Sequence, residues 1–210
     1  MKPILITLTA PSAAGKSHLL NYIRDVQGVA CLTSTTTRAA RAGEVHGRDY
    51  FFISHAKSLE LESRGQFAEL AEMGGTRYGV THDEFDAKLA TGLAVLIVEP
   101  SGIDHYVQPA LDRGAQHLKF FVRTPLQTRL ARLRHRVTAD IMQHMHKESA
   151  GEAVGQVIAA YTTRLQGVFT QEQTWQGAAA WTAELDGTAR PEENFKIIMS
   201  AVDAARKETA

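Results

Sequence analysis

Short apolar runs alternate along the chain with stretches whose apolar residues recur every three or four positions. The runs Ile4–Leu8, Ala30–Leu32, Ala94–Val98, Leu118–Val122 and Ala179–Ala183 predict strands, since a brief continuous apolar run suits a strand buried on both faces. Ser17–Val26, Asp83–Ala90, Ile103–Arg113, Pro125–Arg134, Glu152–Gln173 and Pro191–Arg206 carry the helical period. Strand and helix in alternation predict an α/β fold, a central parallel sheet wrapped by helices. Two segments interrupt the pattern. Residues 33–82 are polar, glycine-punctuated and rich in Thr, Arg and Tyr, which suits an inserted lobe, and residues 129–164 are dense in Arg and His, which suits a mobile lid. The core of a single domain is then residues 1–32, 83–128 and 165–210. In such a sheet ligands sit beyond the carboxyl ends of the strands, so the loops after Leu8, Leu32 and Val98 are expected to share one cleft.

The first of these loops carries chemistry. Residues 10–17 read Ala-Pro-Ser-Ala-Ala-Gly-Lys-Ser between a predicted strand and a predicted helix. Small residues there let backbone N–H groups converge on a polyphosphate at the positive end of a helix. This is the setting of a phosphate-binding loop of the P-loop NTPase fold, with Ser12, Ala13, Ala14, Gly15, Lys16, Ser17 and His18 as candidate ATP contacts. Lys16 would reach the terminal phosphates and the Ser17 hydroxyl would ligate Mg²⁺. The pattern calls for glycine at position 10, where this chain has Ala10, so the loop requires a negative φ at that residue.

Composition narrows the field. Lys+Arg and Asp+Glu both number 23, and a zero net charge argues against a nonspecific nucleic-acid binder. The one cysteine, Cys31, forms no internal disulfide, fits a reducing compartment, and sits in an apolar run as a small core residue. No apolar stretch approaches membrane-spanning length, and the N-terminus reads as a strand rather than an export signal. A cytoplasmic protein without membrane partners is expected.

The most specific text is Ser34-Thr35-Thr36-Thr37-Arg38-Ala39-Ala40-Arg41-Ala42-Gly43-Glu44-Val45-His46-Gly47-Arg48-Asp49-Tyr50, followed by Phe67-Ala68-Glu69 and Arg77-Tyr78-Gly79. Arg38 and Arg41 offer guanidinium forks and Tyr50 a phenol, a set suited to a second phosphate group. Together with the phosphate loop, these blocks resemble the guanylate kinase family over roughly residues 4–136. The resemblance implies ATP-dependent phosphorylation of a purine nucleoside monophosphate, GMP or dGMP. It implies that the inserted lobe holds the acceptor, with Arg38, Arg41, Tyr50 and Tyr78 on its phosphate and Ser34 and Glu69 on its base. A carboxylate at Glu69 can accept from guanine N1–H and the N2 amino group, and adenine would leave it unsatisfied. Glu44 and Asp49 would orient the loop or pair with its arginines.

The chain departs from the family near this site. Val80 stands where a serine or threonine usually meets guanine O6. Ile97 replaces the first of two acids, leaving Glu99 as a base contact, a holder of metal-bound water or a helix cap, and Pro100 stiffens the loop. In the lid, Arg129 and Arg164 are the candidates for neutralising the transferred phosphoryl group, while Arg132 and Arg134 compete for a third role. His135, His144 and His146 lack metal-ligand spacing and read as surface residues. Trp175 and Trp181 have apolar neighbours and read as packing residues. Two alternatives stay open: a kinase for a different or modified (deoxy)nucleoside monophosphate, motivated by Val80 and the Glu99-Pro100 loop, and a catalytically dead binding module, motivated by Ala10 and the missing acid. The retained Gly15-Lys16-Ser17 speaks against the second. A monomer or homodimer acting on small-molecule nucleotides is expected.

Overall fold

Alternate side chains of β1 (Ile4–Thr9) point to opposite faces of a sheet, and both faces are covered. Ile4, Ile6 and Leu8 join the core under α1 (Lys16–Asp25) and the C-terminal helix, while Leu5 joins a second core on the other side. The computed structural model describes every residue except 1, 41–42, 74, 99, 146–150, 153, 156, 160, 163–164, 166–174, 176–179 and 209–210. The other elements whose bounds the described residues fix are β2 (Ala30–Cys31), β3 (Thr35–Thr36), β4 (Phe51–Phe52), α2 (His55–Ser63), β5 (Phe67–Met73), β6 (Thr76–Thr81), α3 (His82–Leu89), β7 (Leu93–Ile97), α4 (Pro100–Asp112), β8 (Gln116–Arg123), α5 (Leu126–His144), β9 (Ala183–Asp186) and α6 (Pro191–Lys207).

Five strands form a parallel sheet in the order β2-β7-β1-β8-β9. Helices α1 and α6 cover one face through Leu19, Ile23, Ile198 and Val202. Helices α3 and α4 cover the other through Phe85, Leu89, Ile103, Tyr106 and Ala110. Burial on both faces accounts for the continuous apolar runs. Cys31 lies inside the first core, and burial pushes its thiol up to about 11, which makes it an inert packing residue.

Residues 35–81 contribute a separate four-stranded sheet, β4-β3-β6-β5. Its β5–β6 hairpin is antiparallel with an irregularity between Phe67 and Glu69. Gly79 is required there, because a Cβ at that position would stand 2.5 Å from Glu69 O.

Among the described residues, three of the expected elements differ most from their expected bounds. The last strand is Ala183–Asp186 rather than Ala179–Ala183: alanines bury little area, and Leu185 supplies the inward side chain. Trp181 packs on Phe121 at 5.2 Å just before it. Helix α5 runs on to His144, ten residues past the expected end at Arg134. Helix α4 begins at Pro100, so this proline opens a helix rather than stiffening a loop; its fixed φ suits a first turn.

Candidate functional site

The phosphate loop follows from its backbone. Gly15 caps α1 with φ 107°, a left-handed conformation that favours glycine, and Lys16 and Ser17 open the helix. Ala10 has no positive φ and is fully buried, so alanine fits where the pattern calls for glycine. The strain falls instead on Ala13, at φ 62°. Two side chains hold the loop. Thr124 Oγ1 donates to Ala14 O at 2.8 Å, and Arg132 Nη1 donates to Ala13 O at 3.2 Å and Ala14 O at 3.1 Å. Arg132 Nη2 also donates to Gly187 O at 2.8 Å, which ties the loop to the β9–α6 turn. That turn is ordered by Asp186, whose Oδ1 accepts from the Thr188 N–H and hydroxyl, each at 2.7 Å. These donations hold the Asp186 carboxyl below the usual carboxylate range.

Residues Ser12 to His18 form one wall of a cleft of about 660 Å³. Arg132, Arg136, Gly187, Thr188 and Asn194 also line it. Convergent N–H groups, an ammonium and two guanidinium groups make this cleft suited to a polyphosphate. Lys16 Nζ donates to Ala10 O and lies 6.0 Å from the centre of the Trp175 ring.

Lys16 also borders a second cavity, of about 310 Å³, lined by Ser34, Tyr50, Glu69, Tyr78, Ile97 and Tyr106 among others. It borders a third, of about 250 Å³, with Ser17, Ser34, Glu44, Arg48, Asp49 and Tyr50. The structure therefore gathers Lys16, Ser34, Tyr50, Glu69 and Tyr78 around one space. Tyr50 and Tyr78 meet edge to face at 6.2 Å. The Glu69 carboxylate, 7% exposed, accepts from Tyr106 Oη at 2.6 Å.

Arg38 stands beside this space, its guanidinium 5.3 Å from the Tyr50 ring and 5.6 Å from the Phe52 ring. Its two Nη atoms grip Glu44 at 2.8 and 2.9 Å. Asp49 Oδ2 accepts from Val45 N at 2.8 Å, which closes the loop around it.

Several expected positions lie elsewhere. Val80, expected at the base edge, is fully buried against Leu5 and Phe85, because α3 packs on β6 where Val80 pairs with Glu69. Arg129, expected at the transferred phosphoryl group, is fully buried at the start of α5, with its Nε donating to Thr124 O at 3.2 Å. The arginines of α5 that reach the cleft are Arg132 and Arg136, one helical turn apart. Arg41, Glu99, Arg164 and His146 lie outside the described residues. Sequence reasoning missed Tyr106, Gly187 and Thr188. Tyr106 sits at an apolar helix position, so only its hydroxyl could have marked it.

As a magnesium site, the cleft offers the Ser17 hydroxyl beside the space for phosphates. Among the described residues no group of three or more His, Cys, Asp or Glu could hold a metal by itself. One hydroxyl fits Mg²⁺ that arrives on a polyphosphate, since this ion keeps several waters and takes few protein ligands. Among the described residues no helix is long and apolar enough to cross a membrane.

A guanylate kinase of Escherichia coli (strain K12) is 41% identical over 96 residues, covering 44% of this chain and 46% of that protein. One of Rubrobacter xylanophilus is 37% identical over 137 residues, covering 64% and 70%. The chain spans about half the length of the first curated relatives it matches. The crystal structure of a guanylate kinase from Anaplasma phagocytophilum superposes with a TM-score of 0.63 at 21% identity, over 97% of this chain and 86% of that one, a likeness of fold. The family model described as Guanylate kinase matches residues 1–167, and the chain belongs to the guanylate kinase family.

Proposed function

We propose that the chain transfers the γ-phosphoryl group of ATP to a guanine nucleoside monophosphate, GMP or dGMP, giving the diphosphate. One observation carries the reading: Lys16 borders both the phosphate-loop cleft and the cavity of Ser34, Glu69, Tyr50 and Tyr78. Phosphoryl transfer asks for donor and acceptor in line, charge neutralised and water excluded. The loop N–H groups hold the donor phosphates, with Arg132 and Arg136 facing them. Lys16 neutralises charge between donor and acceptor. Ser17 holds Mg²⁺, which withdraws charge from the phosphate oxygens when bound. Arg38, Tyr50 and Tyr78 take the acceptor phosphate, and Arg41 joins them by the family resemblance. Arg38 exchanges its grip on Glu44 for the phosphate dianion, a stronger partner for a guanidinium fork. Ser34 and Glu69 read the base, with Glu99 beside them by the same resemblance. Arg129 supports the loop from behind through Thr124, and Arg164 is assigned to the lid on the family resemblance alone.

Lys16→Ala tests the reading. Turnover of ATP with GMP falls by more than a hundredfold, about 2.7 kcal/mol of barrier, while GMP binding by calorimetry is retained. A loss of less than about tenfold would refute the role of Lys16 and favour a binding module.

A further inference from the structure

The Glu69 carboxylate belongs to β5 of the inserted sheet, yet its closest polar partner belongs to the core. Tyr106 on α4 donates to Glu69 Oε2 at 2.6 Å, and both groups line the acceptor cavity. Tyr106 is only 4% exposed, and its ring stacks on Phe85 at 6.2 Å with 11° between the planes. Burial, joined by the nearby Glu69 charge and the hydrogen bond to it, raises the Tyr106 phenol well above its ordinary value, so the hydroxyl keeps its proton and acts as a donor. The other carboxylate oxygen, Oε1, has His105 Nδ1 at 3.6 Å, on a side chain that is mostly exposed. One oxygen of Glu69 is thus fixed by a buried neighbour and the other lies toward a solvent-exposed one.

We propose that Tyr106 is a specificity-determining positioning residue, which locks the Glu69 carboxylate from the core side and aims it at the acceptor base. The inference rests on the proposed acceptor role of the Glu69 cavity. A carboxylate on a β-strand turns about its side-chain torsions, and a donor–donor base edge is recognised only when both oxygens lie in its plane. A charge-assisted hydrogen bond from a stacked, buried phenol removes that freedom before the base arrives. It also fastens β5 to α4, so the base-reading strand keeps its place against the core.

The test is Tyr106→Phe, which keeps the ring against Phe85 and removes only the hydroxyl. Steady-state kinetics are run with ATP and GMP or AMP, alongside thermal unfolding. The expected result is an acceptor KM for GMP raised about tenfold and a GMP-over-AMP preference reduced about tenfold. Saturated kcat and the KM for ATP stay close to wild type, while the unfolding midpoint falls by about 3–10 °C through the loss of one charge-assisted hydrogen bond. Combined with Glu69→Ala, the phenylalanine substitution changes the preference no further. A preference within twofold of wild type overturns the proposal. So does an equal rise in the KM values for GMP and ATP, the mark of a merely structural residue. A wild-type protein that favours a base other than guanine refutes the guanine reading instead, and Tyr106→Phe is then read on the favoured monophosphate. A wild type without base preference overturns both.

Discussion

Adding one methyl group at Gly187 places a Cβ 2.0 Å from Thr124 Oγ1 and 2.2 Å from Ala14 O. The conformation of Gly187 is not the reason, because its φ is not positive. The obstacle is contact, and relief requires the two neighbours to retreat by about 1 Å. Neither moves alone. Thr124 Oγ1 donates to Ala14 O at 2.8 Å, and Arg132 bridges Ala14 O and Gly187 O at 3.1 and 2.8 Å. Losing one or two of these hydrogen bonds costs about 0.5–1.5 kcal/mol each, and overpacking adds about 1–3 kcal/mol. Gly187→Ala is therefore expected to lower stability by about 2–4 kcal/mol in urea titration. The Ala14 carbonyl shares a peptide plane with the Gly15 N–H, so displacing it tilts a donor that faces the phosphate cleft. The KM for ATP rises at least tenfold while the KM for GMP is unchanged. A stability change under about 0.5 kcal/mol with an unaltered KM for ATP would refute the reasoning.

Two further outcomes follow from single residues. Ala13→Gly removes a left-handed conformation that costs a non-glycine residue about 1 kcal/mol, partly offset by the freer unfolded chain. It should raise the thermal midpoint by about 1–3 °C, and a fall in the midpoint contradicts the strain assigned to Ala13. Burial, with the Lys119 charge behind it and Asp104 opposing, lowers His117 from 6.5 to about 4, and its Nε2 lies 2.9 Å from Thr7 Oγ1. The unfolded chain takes up this proton at higher pH than the folded one, so stability is lost as pH falls from about 6.5 towards 4. The full shift corresponds to about 3 kcal/mol, discounted to about 1–2 kcal/mol for the partly exposed ring. His117→Gln should flatten urea stability between pH 6.5 and 4.5, and an unchanged slope would contradict the assignment.

The phosphate loop was legible because its determinants are local: a strand, small residues and a helix start within fourteen positions. The parallel sheet was legible for a related reason, since strands covered on both faces leave continuous apolar runs. Strand β9 was misplaced because an alanine run resembles an apolar strand but buries little, and only the packing of Leu185 identifies the real one. Val80 follows Tyr78-Gly79 in the sequence as though it shared their cavity, yet its side chain packs into the core with Leu5 and Phe85. Arg129, Arg132 and Arg136 are equivalent as residue types, and only the placement of α5 against the loop decides which reach the cleft. Tyr106 and Gly187 acquire meaning from partners far away in sequence, Glu69 and Ala14, which no local pattern records.

The central claim is that a phosphate-loop donor site and a guanine-reading acceptor site meet at Lys16. The most direct measurement is the ratio of kcat/KM for GMP over AMP, with ATP as donor, in the wild-type protein and in Glu69→Gln. The account predicts phosphorylation of GMP with a preference over AMP of at least a hundredfold, about 2.7 kcal/mol, falling at least tenfold in the variant. Equal use of AMP and GMP by the wild type, or a ratio untouched by Glu69→Gln, would contradict it.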